Sequence, residues 1–352
     1  MEKVLFGGTG LPVTRSGFGA LPVQRLSKPE GAALLRRGHE GGINFFDTAN
    51  GYSDSEEKIG IGLSDVRENI IIATKTGSST PEVFWQHLHL SLERMKTTYI
   101  DIYQFHNPRE LPGETMLDCM REAKARGLIR HVGVTCHRLD NAIVAARSGN
   151  YETIQYPLSA LSSDAEIDFV KLCASLNIGV IGMKGLAGGL LTSAAPTMAF
   201  LRPYPNVVPI WGFQRDAELD EVIELERNPP SLDEAMLARI ASDREQLSGN
   251  FCRGCGYCMP CPVGIEINTC ARISLLLRRS PSAGWLTPRW QDEMAKINNC
   301  IHCNKCAKAC PYSLDTPQLL RETYDDYQIF LQSSFSEGGG CTFCSQKVPK
   351  TT

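Results

Sequence analysis

The sequence predicts an α/β chain in two parts: a (β/α)8 barrel of the TIM class, then a smaller α-rich domain organised by cysteines. Two observations carry this reading. Short apolar runs alternate eight times with amphipathic stretches over about 230 residues, the pattern of a closed parallel barrel wrapped in helices. Eleven of the 14 cysteines of the 352-residue chain lie from Cys252 onward, so they serve a local site and not a chain-wide disulfide framework. The alternative to the barrel is an open, doubly wound sheet. Such a sheet usually opens with G-x-G-x-x-G after its first strand, and Gly17-Phe18-Gly19 does not continue that way.

Residues 1–14 read as a hairpin, VLF and LPV around Gly7-Gly8-Thr9-Gly10. Strands are expected near 17–20, 43–46, 69–74, 99–105, 129–134, 153–156, 179–182 and 207–211. Helices are expected over 28–40, 55–64, 81–96, 114–126, 138–148, 164–177 and 216–226. Asn228-Pro229-Pro230 closes this region and a helix follows from about 232 to 247. The expected organisation is a barrel over 1–230, a helical linker over 231–248, a cysteine-rich domain over 249–335 and a polar, glycine-rich tail over 336–352. A hydrophobic content of 42 % supports an ordinary buried core, and a net charge of −3 argues against nucleic acid or an anionic membrane surface as partner. The most apolar stretch, 179–201, is interrupted by Lys184, five glycines and Pro196 and does not read as a membrane span. MEKVLFGGTG lacks the regions of a signal peptide, so a reducing cytoplasm is the expected location.

The cysteines form two runs. Cys300, Cys303, Cys306 and Cys310-Pro311 have the C-x2-C-x2-C-x3-C-P spacing of a bacterial [4Fe–4S] ferredoxin. Cys252, Cys255, Cys258 and Cys261-Pro262 repeat it with the last gap one residue short. In such runs the fourth thiolate ligates the other cluster. Two clusters are therefore expected, one on Cys252, Cys255, Cys258 and Cys310, the other on Cys300, Cys303, Cys306 and Cys261. Paired four-cysteine zinc sites are the competing use of C-x2-C. Cys341-x2-Cys344 reads as half a metal site, a redox dithiol or a plain tail.

Barrel enzymes keep their chemistry at the C-terminal ends of the strands. Three of the expected strands close on Asp47, Lys75 and His106, and Tyr52 follows Asp47 by five residues. A tyrosine phenol, with an ordinary pKa of about 10, is too weak an acid near neutrality, and a nearby lysine cation favours its phenolate. In this reading Asp47 holds Lys75, and His106 orients a carbonyl oxygen. Trp85, Tyr156 and Trp211 are candidate aromatic contacts on the rim.

RSGFGALPV (15–23), GGINFFDTANGYSDSEEKIGIGL (41–63), the ATK of Lys75, YIDIYQFH (99–106), IRHVGV (129–134) and GVIGMKGLAGG (179–189) resemble an aldo-keto reductase. CGYCMPCP (255–262) is similar to a branch of that family with a C-terminal two-cluster, ferredoxin-like iron–sulfur domain. The resemblance implies a catalytic tetrad at Asp47, Tyr52, Lys75 and His106, and carbonyl–alcohol interconversion on a small substrate with NADP(H). It implies cofactor contacts at Thr135, Gln155, Lys184, Gly185, Gly212, Gln214, Arg215 and Glu218. Several of these depart from the family pattern: Thr135-Cys136-His137 stands where Ser-Asn is common, and Glu218 and Val222 stand where Arg or Gln and then Asn are usual. Arg215 is the residue left for a 2′-phosphate. A nicotinamide gives two electrons and a [4Fe–4S] cluster passes one, so a flavin between them is a candidate further cofactor, and the phosphate loops after the last two strands could take FMN as readily as NADPH. Three readings follow: a nicotinamide-linked reductase with clusters facing a redox partner protein, a cluster-fed reductase using the same tetrad, or an electron-transfer or redox-sensing module.

Overall fold

A computed structural model describes residues 1–247, 251–279 and 282–336. They form two compact units: Met1–Ala187 with Ser193–Gln246, and Gly188–Thr192 with the described residues from Leu247 onward.

The first unit opens with an antiparallel hairpin, β1 (Lys3–Leu5) and β2 (Pro12–Thr14), with Lys3 opposite Thr14. The chain then runs β3 (Gly17–Gly19), α1 (Lys28–Glu40), β4 (Phe45–Asp47), α2 (Ser55–Leu63), β5 (Ile71–Thr76) and α3 (Pro81–Arg94). It continues with β6 (Ile100–His106), α4 (Glu114–Ala125), β7 (Ile129–Thr135), α5 (Leu139–Arg147), β8 (Thr153–Pro157) and α6 (Asp164–Ser175). Then follow β9 (Gly179–Met183), α7 (Ala195–Leu201), β10 (Val207–Gly212), α8 (Asp216–Arg227) and α9 (Glu234–Gln246). Strands β3 to β10 pair in parallel and close, β10 lying between β9 and β3. The closed order settles the choice against an open sheet.

Helix starts follow local chemistry. Ser27 and Ser163 each cap a helix reciprocally with the glutamate three residues on, satisfying N–H groups that have no partner inside the helix. Strand side chains alternate. Phe45, Ile71, Ala73, Ile102, Ile181, Val208 and Ile210 pack into the barrel interior, while Phe46, Ile72, Tyr103 and Val134 pack outward under the helices. Phe6 and Val13 of the hairpin join the interior cluster. Gly179 is required there: a Cβ on it would lie 2.9 Å from the Phe6 ring. The hairpin therefore stoppers the end of the barrel where the strands begin, and leaves the other end for chemistry.

Two features differ from the sequence expectation. The glycine-rich connection after β9 contains a helix, α7, with Pro196 in its first turn, where a proline needs no N–H. The helix expected to be a linker groups with the barrel as α9, and Arg244 on it donates to the carbonyls of Ala160 (2.8 Å) and Ser162 (3.0 Å).

The second unit contains α10 (Ile267–Cys270), α11 (Ile273–Arg279), α12 (Pro288–Ala295), α13 (Lys305–Ala309) and α14 (Thr316–Ser336). Ile265, Ile267, Ile273, Leu277, Met294, Ile297, Leu320 and Tyr327 form its core. Cys341 and Cys344 lie outside the described residues. Among the described residues no helix is long and apolar enough to cross a membrane.

Phe6 is fully buried. Phe6→Ala is expected to lower unfolding stability by about 3–5 kcal/mol through the cavity it leaves. Thermal unfolding followed by circular dichroism checks this, and an unchanged midpoint would exclude the stopper role.

Candidate active site

The register of the barrel brings four strand ends together. Lys75 pairs with Gln104, His106 with Thr135, and Thr135 with Gln155. Asp47, Lys75, Gln104 and His106 follow interior residues at a spacing of two, so their side chains turn inward.

The Lys75 ammonium donates to Asp47 Oδ1 at 2.7 Å and to the Thr48 carbonyl at 2.6 Å. Both charged side chains are buried. Burial raises the Asp47 carboxyl and lowers the Lys75 ammonium from their ordinary values, and the attraction between the two opposes both shifts. Lys75 Nζ also lies 5.1 Å from the centre of the Tyr52 ring. The Tyr52 and His106 rings meet edge to face, with centroids 5.5 Å apart. Burial first, and then the Lys75 charge, push His106 down to about 3. His106 is thus a neutral imidazole at physiological pH, able to donate one hydrogen bond. All four residues of the expected tetrad are brought together.

An amide network lies beneath them. Gln104 Nε2 donates to Gln155 Oε1 (3.0 Å) and to Asp47 Oδ2 (3.4 Å). Gln155 Nε2 donates to Asp47 Oδ1 at 3.3 Å. The Thr135 hydroxyl reaches both glutamine oxygens at 3.4–3.5 Å. Sequence reasoning missed Gln104. Its signal was a polar residue on the inward parity of an otherwise apolar strand, two before His106.

The remaining expected cofactor residues are more dispersed. Lys184 begins the turn after β9 in a left-handed conformation, φ +63°. Gly185 passes so near Trp211 that a Cβ would lie 2.8 Å from its ring. Gly212 ends β10. Gln214, Arg215 and Glu218 form the start of α8, where the Glu218 carboxylate accepts from the Gln214 N–H (2.7 Å), the Arg215 N–H (3.2 Å) and Arg215 Nε (2.9 Å). The carboxamide end of a nicotinamide fits the donor set of Thr135 and Gln155. Arg215, whose side chain is exposed, already pairs with Glu218, so a 2′-phosphate there would compete with that carboxylate.

The aromatic rim candidates are corrected. Trp211 is buried with Nε1 donating to Ser16 Oγ at 2.9 Å, and the Tyr156 hydroxyl bonds Glu166 on α6 at 3.0 Å. Both belong to the layer between strands and helices. Trp85 stands on α3 under the Arg126 guanidinium, 4.7 Å from the ring centre. Cys136 is buried and pushed up to about 12 by burial, which leaves it an unreactive thiol. His137 is buried, and burial followed by the charges of Lys184, His106 and Lys75 holds it well below its ordinary value.

In the second unit, Cys252, Cys255, Cys258 and Cys310 line one pocket. Cys261, Cys300, Cys303 and Cys306 line another, which Cys258 also borders. The last cysteine of each run therefore stands with the first three of the other. The two pockets spread thiols around a volume, with apolar walls of Ile265, Ile267, Leu314 and Leu320.

Fold and site together define a (β/α)8-barrel oxidoreductase with an appended cysteine-lined unit. Residues 15–203 match the family model described as the aldo/keto reductase family, and residues 251–315 match a 4Fe-4S dicluster domain. The chain belongs to the aldo/keto reductase family. It is 30 % identical over 220 residues to L-galactose dehydrogenase of Arabidopsis thaliana, covering 56 % of this chain and 69 % of that one. It is 26 % identical over 264 residues to the NADH-specific methylglyoxal reductase of Escherichia coli, covering 65 % of this chain and 80 % of the relative. Among solved structures, aldo-keto reductase AKR11C1 of Bacillus halodurans, in its holo form, superposes with a TM-score of 0.63 at 21 % identity, covering 69 % of this chain and 96 % of that one. An aldo-keto reductase of Klebsiella pneumoniae in complex with NADPH gives 0.62 at 20 % identity, covering 69 % and 95 %. These two likenesses concern the fold.

His106 predicts a pH effect. Its ordinary value is 6.5 and its folded value about 3. Between those limits the unfolded chain binds more protons, so stability falls as pH falls through this window. His106→Gln should remove about one proton from that dependence, read as a shallower fall of the thermal midpoint between pH 6.5 and the onset of acid unfolding. An identical slope in the variant would exclude the assigned burial effect.

Proposed function

We propose that the protein interconverts a carbonyl and an alcohol on a small or cyclic organic substrate, with Tyr52 as general acid and base. The observation that carries the reading is the placement of the Lys75 ammonium between the Asp47 carboxylate (2.7 Å) and the Tyr52 ring (5.1 Å), with His106 edge-on to that ring. The Lys75 cation favours the Tyr52 phenolate and so makes the phenol a stronger acid. Asp47 keeps that cation in place inside the barrel, where an unpaired charge is costly. Neutral His106 donates a hydrogen bond to the substrate oxygen and aims it at the phenol. In reduction the Tyr52 proton passes to the carbonyl oxygen; in oxidation the phenolate takes it back.

A nicotinamide, when bound, supplies the hydride to the carbonyl carbon. Thr135 and Gln155 have the hydroxyl and amide that its carboxamide requires, and one relative of this chain is named as NADH-specific while a structural neighbour holds NADPH. The eight cysteines of the two pockets hold two [4Fe–4S] clusters, one on Cys252, Cys255, Cys258 and Cys310, the other on Cys261, Cys300, Cys303 and Cys306. Such clusters supply single electrons. Cys303 is exposed, which leaves that cluster open to a redox partner protein and suits a reducing cytoplasm.

A second reading rests on the engagement of Gln155 with Asp47 and of Thr135 with Gln155: the same tetrad is fed by the clusters, with FMN as intermediary and no nicotinamide. Anaerobic titration of cluster-replete protein with reduced nicotinamide separates the two. Carbonyl-dependent oxidation of the nicotinamide supports the first, and no response alongside dithionite-reducible clusters supports the second.

Tyr52→Phe should lower kcat at least ~100-fold with the thermal midpoint kept, since positioned acid–base groups contribute about 10²–10⁴. Retained turnover in this variant would reduce the barrel to a binding or redox-sensing role. Cys306→Ala should lower the iron content and the visible charge-transfer absorbance while leaving the barrel folded.

A further inference from the structure

Barrels of this class commonly hold phosphate groups at the loops after their last two strands and at the N-terminus of a neighbouring helix, where free N–H groups and the helix dipole favour an anion. In this chain that place is the turn between β10 and α8, the twelve-residue helix Asp216–Arg227. An anion already occupies it, and it belongs to the protein. The Glu218 carboxylate accepts from two backbone N–H groups, Gln214 at 2.7 Å and Arg215 at 3.2 Å. The same carboxylate accepts from two nitrogens of the Arg215 guanidinium, Nε at 2.9 Å and Nη2 at 2.5 Å. Two backbone donors and the cation that a phosphate would use are engaged together by one side chain, which an incoming phosphate must compete with.

The surrounding charge does not compensate. Residues 216–221 read Asp-Ala-Glu-Leu-Asp-Glu, four acids and no base. Asp216 and Asp220 share one arginine, Arg37, at 2.7 and 2.6 Å. Glu221 is held by the Ser193 hydroxyl and the Ala194 N–H, both at 3.0 Å, which bring it no positive charge. A phosphate arriving here would have to displace Glu218 and then face the remaining carboxylates. A ribose hydroxyl meets no such charge repulsion, because it is neutral, and as a donor it can exchange for one of the donors that Glu218 now accepts from.

We propose that Glu218 is a specificity-determining residue that closes the phosphate cradle after β10, so that the protein takes its hydride from the nicotinamide lacking a 2′-phosphate, NADH, in preference to NADPH. The proposal rests on the nicotinamide-linked reading of the barrel. It departs from the expectation of NADP(H) that the family resemblance raised, and the departure comes from this chain's own residues.

The test is anaerobic equilibrium binding of NADH and of NADPH to the full-length, cluster-replete protein and to its Glu218→Gln variant. Glu218→Gln keeps the shape and removes the charge. Wild type should bind NADH at least ~10-fold more tightly than NADPH, and the variant should narrow that ratio ~10-fold, chiefly through a gain for NADPH, in the range expected for removing one repelling charge at a helix start. Equal or tighter NADPH binding by wild type overturns the proposal, and this holds even where the variant fails to fold. An NADH preference that persists unchanged in a folded variant overturns the role of Glu218. Failure of wild type to bind either dinucleotide overturns the nicotinamide reading and this proposal with it, a result distinct from the first two.

Discussion

Most of the catalytic end of this barrel depends on one buried ion pair, Lys75 with Asp47 at 2.7 Å. Taking two charges out of water costs several kcal/mol for each ion, and the attraction between them offsets this only when the remaining hydrogen-bonding capacity is also met. That requirement explains the neighbours. Lys75 uses a second donor on the Thr48 carbonyl, and Asp47 draws amide donors from Gln104 and Gln155. The pair in turn sets the state of what lies above it. The lysine charge adds to burial in keeping His106 neutral, and it stands within 5.1 Å of the Tyr52 ring. A phenol, a buried ion pair and a neutral imidazole are thereby held at one strand-end rim by a single electrostatic arrangement.

The cysteine-lined unit is built on another principle. Two of its helices, Ile267–Cys270 and Lys305–Ala309, have four and five residues, far below the length at which a helix is stable alone. Its apolar core is small, and six of the eight run cysteines are only half-buried. Loops of this kind gain order from ligation as well as packing, since ligands must be gathered from separate segments before a metal group can bind. Glycines mark where the backbone must turn to do so: Gly254 and Gly256 sit at φ +66° and +83° between the first three cysteines.

The end of the barrel that would hold a cofactor divides in two. Near the tetrad, Thr135 and Gln155 keep the hydroxyl and amide suited to a carboxamide. At α8, Glu218 satisfies the helix start itself. An internal carboxylate that caps a helix is worth little as an exposed ion pair, but a second anion must compete with it for the same donors.

The sequence by itself determined the number and order of the strands, because apolar runs with turn signals between them are local features. It also determined which residue types stand at the strand ends, since a period of two carries parity from buried Ile71 and Ala73 to Lys75 and from Ile102 to Gln104 and His106. The spacing of the cysteine runs was equally legible. Only the tertiary structure decided the partners. Barrel closure and register placed Gln104 under Asp47, turned Trp211 and Tyr156 outward into the helix layer, and drew α9 onto the barrel. The start of α8 paired Arg215 with Glu218. These outcomes depend on distances between segments far apart in the chain, or on which of several local partners wins, and neither is encoded in periodicity or spacing.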